Sequence, residues 1–192
     1  MTRTLILLFH PDIDNSKANA ALLSAARTVP DTLVVDMQTR YRGGVIDMHT
    51  DGASEARALL EADRIVLQFP VQWYSTPPLL KSWQDAVLTR MCYIHADTEG
   101  DKLVGTPLMI AATAGNTPAA YGRGGANHFT MDELLAPLKA TALRCGLPWH
   151  PPHLVFRADK LEPVELAAAK DSYVKALRAF IAATPAHNQK AA

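Results

Sequence analysis

The sequence predicts a three-layer α/β domain, with a parallel sheet covered by helices on both faces. Short apolar runs bounded by turn formers alternate along the chain with stretches whose apolar residues recur at helical spacing. The first of those runs is continuously apolar from Leu5 to Phe9, as in a strand buried on both sides of a parallel sheet. The 192 residues, 48% hydrophobic and 20% charged, suffice for one core that buries roughly 70% of the unfolded surface. No internal repeat or linker argues for dividing them, so residues 1–184 are expected to form one domain and 185–192 a frayed tail.

Thr4 to Phe9 reads as the first strand, cut off by His10-Pro11. Ser16 to Thr28 follows as a helix, with Ala18, Leu22, Ala25 and Val29 on one face and Ser16 able to cap the open N–H groups. Thr32 to Met37 is the second strand, Ser54 to Ala62 the second helix and Arg64 to Phe69 the third strand. Between them, Thr39 to Gly52 exceeds the usual connection of about 4–6 residues and is expected to be a mobile loop or a covered surface. Thr76 is placed as the cap of a helix that starts at Pro77-Pro78 and carries Leu79, Leu80, Trp83, Val87 and Met91 on one face. Leu103 to Ala112 reads as strand four. Thr130-Met-Asp-Glu133 forms a capping box for a helix with Leu134, Leu135, Leu138 and Ala142 inward and Gly146 as its stop. Within it, Pro137 removes a backbone donor and should kink the second turn. Leu154 to Phe156 makes a short fifth strand, and Pro163 to Ala183 a closing helix that buries Tyr173, Leu177, Phe180 and Ile181. Five strands thus alternate with five helices.

Charge and cysteine content exclude several classes. Nineteen Lys plus Arg balance nineteen Asp plus Glu, which leaves none of the positive excess that nucleic-acid or anionic-membrane binding requires. Cys92 and Cys145 are too few for a disulfide framework, lack zinc-site spacing and have no obvious base beside them. A reducing compartment is expected, and no run near the start is long enough for a signal peptide or membrane span, so the expected location is cytoplasmic. His150-Pro-Pro-His153 has no third ligand nearby, and there is no GxSxG elbow.

In such a fold, ligands sit at the carboxyl ends of the strands, in the loops after Phe9, Phe69 and Ala112. The first of these, His10 to Asn19, runs into a helix N-terminus whose free N–H groups favour a phosphate; His10, Ser16 and Asn19 add donors. It lacks both the GxxxxGK[ST] and the GxGxxG pattern, so neither a nucleoside-triphosphate nor a dinucleotide site of those types is expected. The second, Pro70-Val71-Gln72-Trp73-Tyr74-Ser75-Thr76, sets two adjacent aromatics among turn formers. They read as a wall for a planar ligand or, alternatively, as a plug for the sheet end. The third, Thr113-Ala114-Gly115-Asn116 onward, lets a ring approach the backbone and then offers Tyr121 and His128, which could polarise a carbonyl or stand solvated.

His10 with Ser16 and Asn19, the stretch Phe69-Pro-Val-Gln-Trp-Tyr-Ser-Thr-Pro-Pro-Leu-Leu-Lys-Ser-Trp-Gln-Asp85 and Leu-Lys-Ala-Thr-Ala-Leu-Arg-Cys-Gly-Leu-Pro-Trp149 resemble the flavodoxin-like NAD(P)H:quinone oxidoreductases. Within that family they are most similar to the ancillary flavoproteins of bacterial glutathione-gated potassium-efflux systems, over residues 4 to 180. The resemblance implies a flavodoxin-like sheet of order 2-1-3-4-5, a bound flavin (FMN, with FAD as the alternative) and a homodimer with its sites at the subunit interface. It implies that His10 and Ser16, Lys17, Ala18 and Asn19 hold the flavin phosphate. Pro70, Val71, Gln72, Trp73 and Tyr74 would flank the isoalloxazine ring, and Thr113, Ala114, Gly115 and Asn116 approach its pyrimidine side. The family's usual Thr-Thr-Gly-Gly reads Thr113-Ala-Gly-Asn116 here, and Tyr121 and His128 fall about where related reductases place a catalytic tyrosine and histidine.

Three functions follow as expectations. The first is an enzyme passing hydride from NAD(P)H to flavin and two electrons on to a quinone. The second is a regulatory flavoprotein docked on a membrane potassium-efflux transporter through a soluble surface such as 39–52, and so peripheral to the inner membrane. The third is a flavodoxin-like electron carrier, which the neutral charge disfavours because such carriers are typically acidic.

Overall fold

In the computed structural model, which describes residues 3–184, five parallel strands form one sheet of order β2-β1-β3-β4-β5. They are β1 (Thr4–Leu8), β2 (Thr32–Asp36), β3 (Arg64–Pro70), β4 (Leu108–Thr113) and β5 (His153–Val155). The inner strands are buried along nearly their whole length, whereas the edge strand β2 is largely half-exposed. This is why the inner runs are mostly apolar, with buried polar exceptions such as Thr4, Arg64 and Gln68.

Side chains leave the sheet alternately and build two cores. Leu5, Leu7, Phe9 and Leu67 pack under α3 (Asp51–Leu60), α4 (Pro78–Trp83) and α7 (Ala136–Arg144). Ile6, Val66, Met109 and Ala111 pack under α1 (Lys17–Ala26) and α8 (Pro163–Ala183), where Leu22, Tyr173 and Leu177 are fully buried. The remaining helices are short: α2 (Met37–Arg40), α5 (Asp101–Leu103) and α6 (Met131–Leu134).

Several boundaries differ from the sequence reading. Strand four starts at Leu108: Leu103 instead closes α5, and Pro107, which has no N–H to give a ladder, stands immediately before the strand. The helix expected from Pro77 is α-helical only over Pro78–Trp83, with Pro77 rather than Thr76 at its cap position and no side-chain cap bond. It continues as π-helical turns Gln84–Leu88, Arg90–Ile94 and Ala96–Gly100, held by Arg90 donating twice to Glu99 (3.1 and 2.8 Å). Wide turns of this kind are rare and concentrate at functional sites.

At Pro137 the expected kink is a full break. Leu135, with φ −88° and ψ −2°, separates α6 from α7, and Pro137 falls in the first turn of α7, where its missing N–H leaves no helical bond unmade. Leu134 is consequently half-exposed. The Thr130–Glu133 capping box forms, and Gly146 ends α7 with a positive φ of 66°. The 39–52 segment is tied down: the buried Glu55 carboxylate accepts from Arg40 (2.7 Å), Tyr41 Oη (2.8 Å) and Trp83 Nε1 (3.1 Å). The second helix accordingly begins at Asp51, within that segment. The tail expected to fray, 185–192, lies outside the described residues.

Candidate functional site

The loops after β1, β3 and β4 emerge from one end of the sheet and are joined by hydrogen bonds. In the first, Ser16 Oγ accepts from Asn19 N (3.2 Å), so Ser16 is a true helix cap. The N–H groups of Lys17 and Ala18, in the first turn of α1, have no intrahelical acceptor and carry the positive end of the helix dipole. Asp12 N donates to His10 Nδ1 (3.1 Å), which puts the ring proton on Nε2. Burial pushes the His10 pKa below the usual histidine range, against the pull of the Asp12 and Asp36 carboxylates. At neutral pH His10 is a neutral donor beside a helix N-terminus.

Asn19 is used differently from the sequence expectation of a ligand-facing amide. It is 1% exposed; its Nδ2 donates to Thr113 Oγ1 (2.8 Å), and Gln68 Nε2 donates to Asn19 O and Oδ1 (3.2 and 3.3 Å). Tyr173 Oη donates in turn to Gln68 Oε1 (3.2 Å). This buried chain ties α1 to β3, β4 and α8, and fixes the first loop against the third.

The second loop carries the strongest local signal. Gln72 and Ser75 exchange both backbone hydrogen bonds (2.9 and 3.0 Å), closing a two-residue turn with Trp73 at φ 47° and Tyr74 at φ 64°. Two adjacent left-handed residues are the mark of a type I′ turn, where Asn-Gly is usual. For residues with a Cβ this costs roughly 1–2 kcal/mol each. Trp73 is 94% exposed and Tyr74 49%, so no burial of Trp73 repays the strain. The alternative of a sheet-end plug is thereby removed for Trp73. Val71 N donates to Thr113 O (2.8 Å), fixing the base of the turn to the third loop.

In the third loop Ala114 is buried, its N–H on Val155 O (2.8 Å) and its carbonyl accepting from Ala158 N (3.1 Å). Asn116 bends back, with Oδ1 accepting from Thr117 N (2.9 Å) and its carbonyl from Arg157 N (3.1 Å). The N–H groups of Gly115 and Asn116 make no hydrogen bond among the described residues. Beyond them the chain folds on itself at Gly125, where a Cβ would lie 2.3 Å from Ala119 O, so only glycine fits. Tyr121 stacks obliquely on Phe156 at 5.6 Å. His128 is exposed with φ 59°, and Tyr74 Oη reaches Asn127 Oδ1 at 3.5 Å. Gln68, Gly125, Asn127 and Phe156 support the site but have no motif of their own; only their contacts reveal them.

Beside Tyr74 a groove of about 420 Å3 opens between the π-helical turns and α6–α7, lined by Val71, Tyr74, Leu88, Cys92, Leu138 and Arg144 among others. Its walls are mainly apolar, with an Arg144–Tyr93 clamp at the rim: guanidinium 5.0 Å from the ring centre and Nε 3.2 Å from the hydroxyl. Cys92 and Cys145, for which the sequence offered neither a zinc spacing nor a base, stand there with Sγ atoms 3.3 Å apart. Among the described residues no cluster of three or more His, Cys, Asp or Glu could hold a metal ion.

A strained aromatic turn, a phosphate-competent helix start and free backbone donors thus meet at the carboxyl end of a 2-1-3-4-5 sheet. A family model described as flavodoxin-like fold, Flavodoxin_2, matches residues 2–179. The chain belongs to the flavodoxin-2 family. It is 38% identical over 173 residues to an uncharacterized NAD(P)H oxidoreductase of Bacillus subtilis, covering 90% of this chain and 85% of that one. It is 41% identical over 165 residues to the glutathione-regulated potassium-efflux system ancillary protein KefF of Salmonella newport (81% and 85% covered). Among solved structures, general stress protein 14 of Treponema denticola, in complex with FMN, superposes with a TM-score of 0.80 at 31% identity, over 92% of this chain and 98% of that one. An NADPH-quinone reductase from P. pentosaceus gives 0.76 at 27% identity (91% and 96%). The family resemblance and the flavodoxin-like sheet order expected from the sequence are both found.

Proposed function

We propose that this flavodoxin-2 protein is an FMN-dependent NAD(P)H oxidoreductase that reduces a quinone, acting in the cytoplasm as a homodimer. The observation that carries the reading is the Trp73-Tyr74 turn: a chain that holds two aromatic residues in left-handed conformation, one of them almost wholly exposed, does so to present them to a planar partner. The FMN-bound relative and the quinone-reductase and NAD(P)H-oxidoreductase names of other relatives support it.

The residues present fit the cofactor. Lys17 and Ala18 N–H, with the neutral His10 Nε2–H, form a donor set for a phosphate. Ser16 caps the same turn, and the buried Asn19 amide orients it from behind. Pro70 and Gln72 shape the base of the turn, and Val71, Trp73 and Tyr74 wall the ring. The flavin, when bound, supplies hydride acceptance and donation. The free Gly115 and Asn116 N–H groups would donate to the pyrimidine side of a bound flavin. Thr113 and Ala114 hold that loop from the sheet, and Tyr121 and His128 supply donors to the acceptor. The apolar groove beside Tyr74 takes the acceptor ring. Tyr93 (63%), Ile94 (53%) and Phe129 (57%) are exposed apolar side chains that a second copy would cover.

Purified protein loaded with FMN should be yellow, bleach on NADH or NADPH addition and recover with a quinone. FAD, tried in parallel, should be held less tightly. A colourless protein that stays colourless after FMN addition would sink the reading.

A second role rests on the relative named as a potassium-efflux ancillary protein: docking on such a transporter through the 39–52 surface. No described helix is long and apolar enough to cross a membrane, so attachment would be through a partner. Pull-down on transporter domains with no NAD(P)H oxidation by FMN-loaded protein would favour regulation over catalysis.

A further inference from the structure

We infer that Cys92 and Cys145 form a peroxide-responsive dithiol whose disulfide locks the wall of the groove beside Tyr74. The inference stands on the groove's own geometry and does not rest on the flavin reading.

Four observations place the pair. The Sγ atoms are 3.3 Å apart, so the disulfide length of about 2.05 Å needs roughly 1.3 Å of approach, within the reach of small side-chain rotations. The two segments are joined a second time by their sequence neighbours: Arg144, preceding Cys145, donates to Tyr93, following Cys92, and lies over its ring. That clamp keeps the sulfurs in register. Cys92 is partly exposed on the groove wall while Cys145 is 7% exposed, which makes Cys92 the attacking thiol and Cys145 the resolving one. Cys92 also lies in a π-helical turn, a backbone form that is rare and frequent at functional sites.

The electrostatics agree. A hydrogen bond from the Cys145 thiol, aided by the Arg144 guanidinium, lowers the Cys92 pKa to about 7 despite burial, while the same partnership and burial raise that of Cys145. The ionisable side chains on the groove wall are Tyr74, Lys81, Asp85, Tyr93 and Arg144 besides the thiols, and Lys81 is paired with Asp85. The shift favours Cys92 as the thiolate of the pair, with its reaction partner in contact.

The oxidant is a hydroperoxide. The Cys92 thiolate attacks one peroxide oxygen; the O–O bond breaks, an alcohol or water leaves with a proton, and Cys92 becomes a sulfenic acid. Cys145 then gives up its proton and attacks that sulfur; the S–S bond forms, the S–O bond breaks and water departs. Two thiols lose two electrons and two protons, and the peroxide gains them. The bridge ties the π-helical turns to the end of α7 and fixes the groove width; a dithiol reductant reverses it.

The test uses the full chain, reduced and then exposed to stoichiometric hydrogen peroxide, with readouts that need no flavin. Wild type should lose both titratable thiols and the mass of two hydrogens, and give a linked 92–145 peptide on non-reducing mapping. In C145S, Cys92 should stop at a sulfenic acid trapped by dimedone; in C92S, Cys145 should stay unmodified. Iodoacetamide alkylation of Cys92 should titrate with a midpoint near 7 in wild type and be about tenfold slower at neutral pH in C145A, which removes the donor that serine would keep. R144Q should slow bridge formation severalfold while leaving the fold intact, since its side chain lies on the surface. Two thiols persisting in peroxide-treated wild type, a bridge only between chains, or Cys92 alkylation unaffected by C145A would overturn the inference.

Discussion

Trp73→Asn separates the backbone strain of the turn from the use of its ring. Trp73 occupies the first of two left-handed positions, φ 47° followed by 64°, where a residue with a Cβ is disfavoured by roughly 1–2 kcal/mol and Asn suffers least. Because the side chain is 94% exposed, truncation sacrifices little: the remaining 6% of roughly 250 Å2, at about 25 cal/mol per Å2, comes to ~0.4 kcal/mol. The apoprotein should therefore gain about 0.5–1 kcal/mol, or roughly 1–4 °C in Tm for a chain of this size. FMN affinity should move the other way, falling roughly five- to 150-fold for the loss of one stacking face worth about 1–3 kcal/mol. Thermal unfolding of apoprotein and a fluorescence titration with FMN measure the two halves separately. Apoprotein destabilised by more than about 1 kcal/mol would mean that Trp73 packs rather than projects. Improved stability with FMN affinity unchanged within twofold would mean that the strain serves some other ligand.

Asn19→Leu, similar in size, should cost about 1–3 kcal/mol in urea unfolding, because it strands Thr113 Oγ1 in the core and leaves Gln68 Nε2 only the Asn19 backbone carbonyl; a loss below about 0.5 kcal/mol would show that the buried chain is dispensable. Acid should loosen α6 through Glu133, whose pKa is lowered by the Thr130 N–H and hydroxyl that donate to it. A depressed folded-state pKa gives stability that is complete above the ordinary value of 4.5 and lost as pH falls through the lowered one. Glu133→Gln keeps the capping box without the titration, so its urea midpoint should fall less than wild type between about pH 6 and 3.5; parallel falls would remove Glu133 from the acid response. Tyr121→Phe and His128→Ala should slow reduction by NAD(P)H in rapid mixing by roughly ten- to a thousandfold with FMN affinity barely changed. Rates within twofold of wild type for both would leave the Gly115 and Asn116 N–H groups as the donors.

The periodic signals were legible because burial writes them directly. β1, β3 and β4 are apolar runs because both faces of each are covered, and the Ser16 and Thr130 caps are local chemistry spanning three residues. Strand order was not readable from pattern, since parallel strands leave no turn to reveal which neighbour they pair with, and here the family resemblance supplied it. Leu103 was misplaced because the one buried residue of a short helix looks like the start of a strand when Val104 follows it. The π-helical turns were invisible, as Leu88 and Met91 sit at spacings an α-helix also uses. At the site, the Trp-Tyr pair could be found in the sequence but not its strain, which exists only once Gln72 and Ser75 pair. Cys92 and Cys145, separated by 53 positions, meet only because the chain leaves for β4 and returns through α7.

What makes the three loops a site is the set of polar ties beneath them. A sheet end finished only with apolar residues would leave each loop free to choose its own conformation, because hydrophobic contact has no direction. Here the links are directional: Tyr173 to Gln68, Gln68 to Asn19, Asn19 to Thr113, and Val71 N to the carbonyl of that same Thr113. Thr113 therefore receives the first loop on its hydroxyl and the second on its carbonyl. Each buried member would cost about 1–3 kcal/mol if left unpaired, so a shift of one loop penalises the other two. The Trp73-Tyr74 strain can persist only on such a base: a turn disfavoured by roughly 2–4 kcal/mol in total would relax if Val71 or Ser75 were free to move. The Asn19 network and the exposed Trp73 are thus two parts of one device. Asn19→Leu should accordingly weaken FMN binding although Asn19 offers a ligand no side-chain amide.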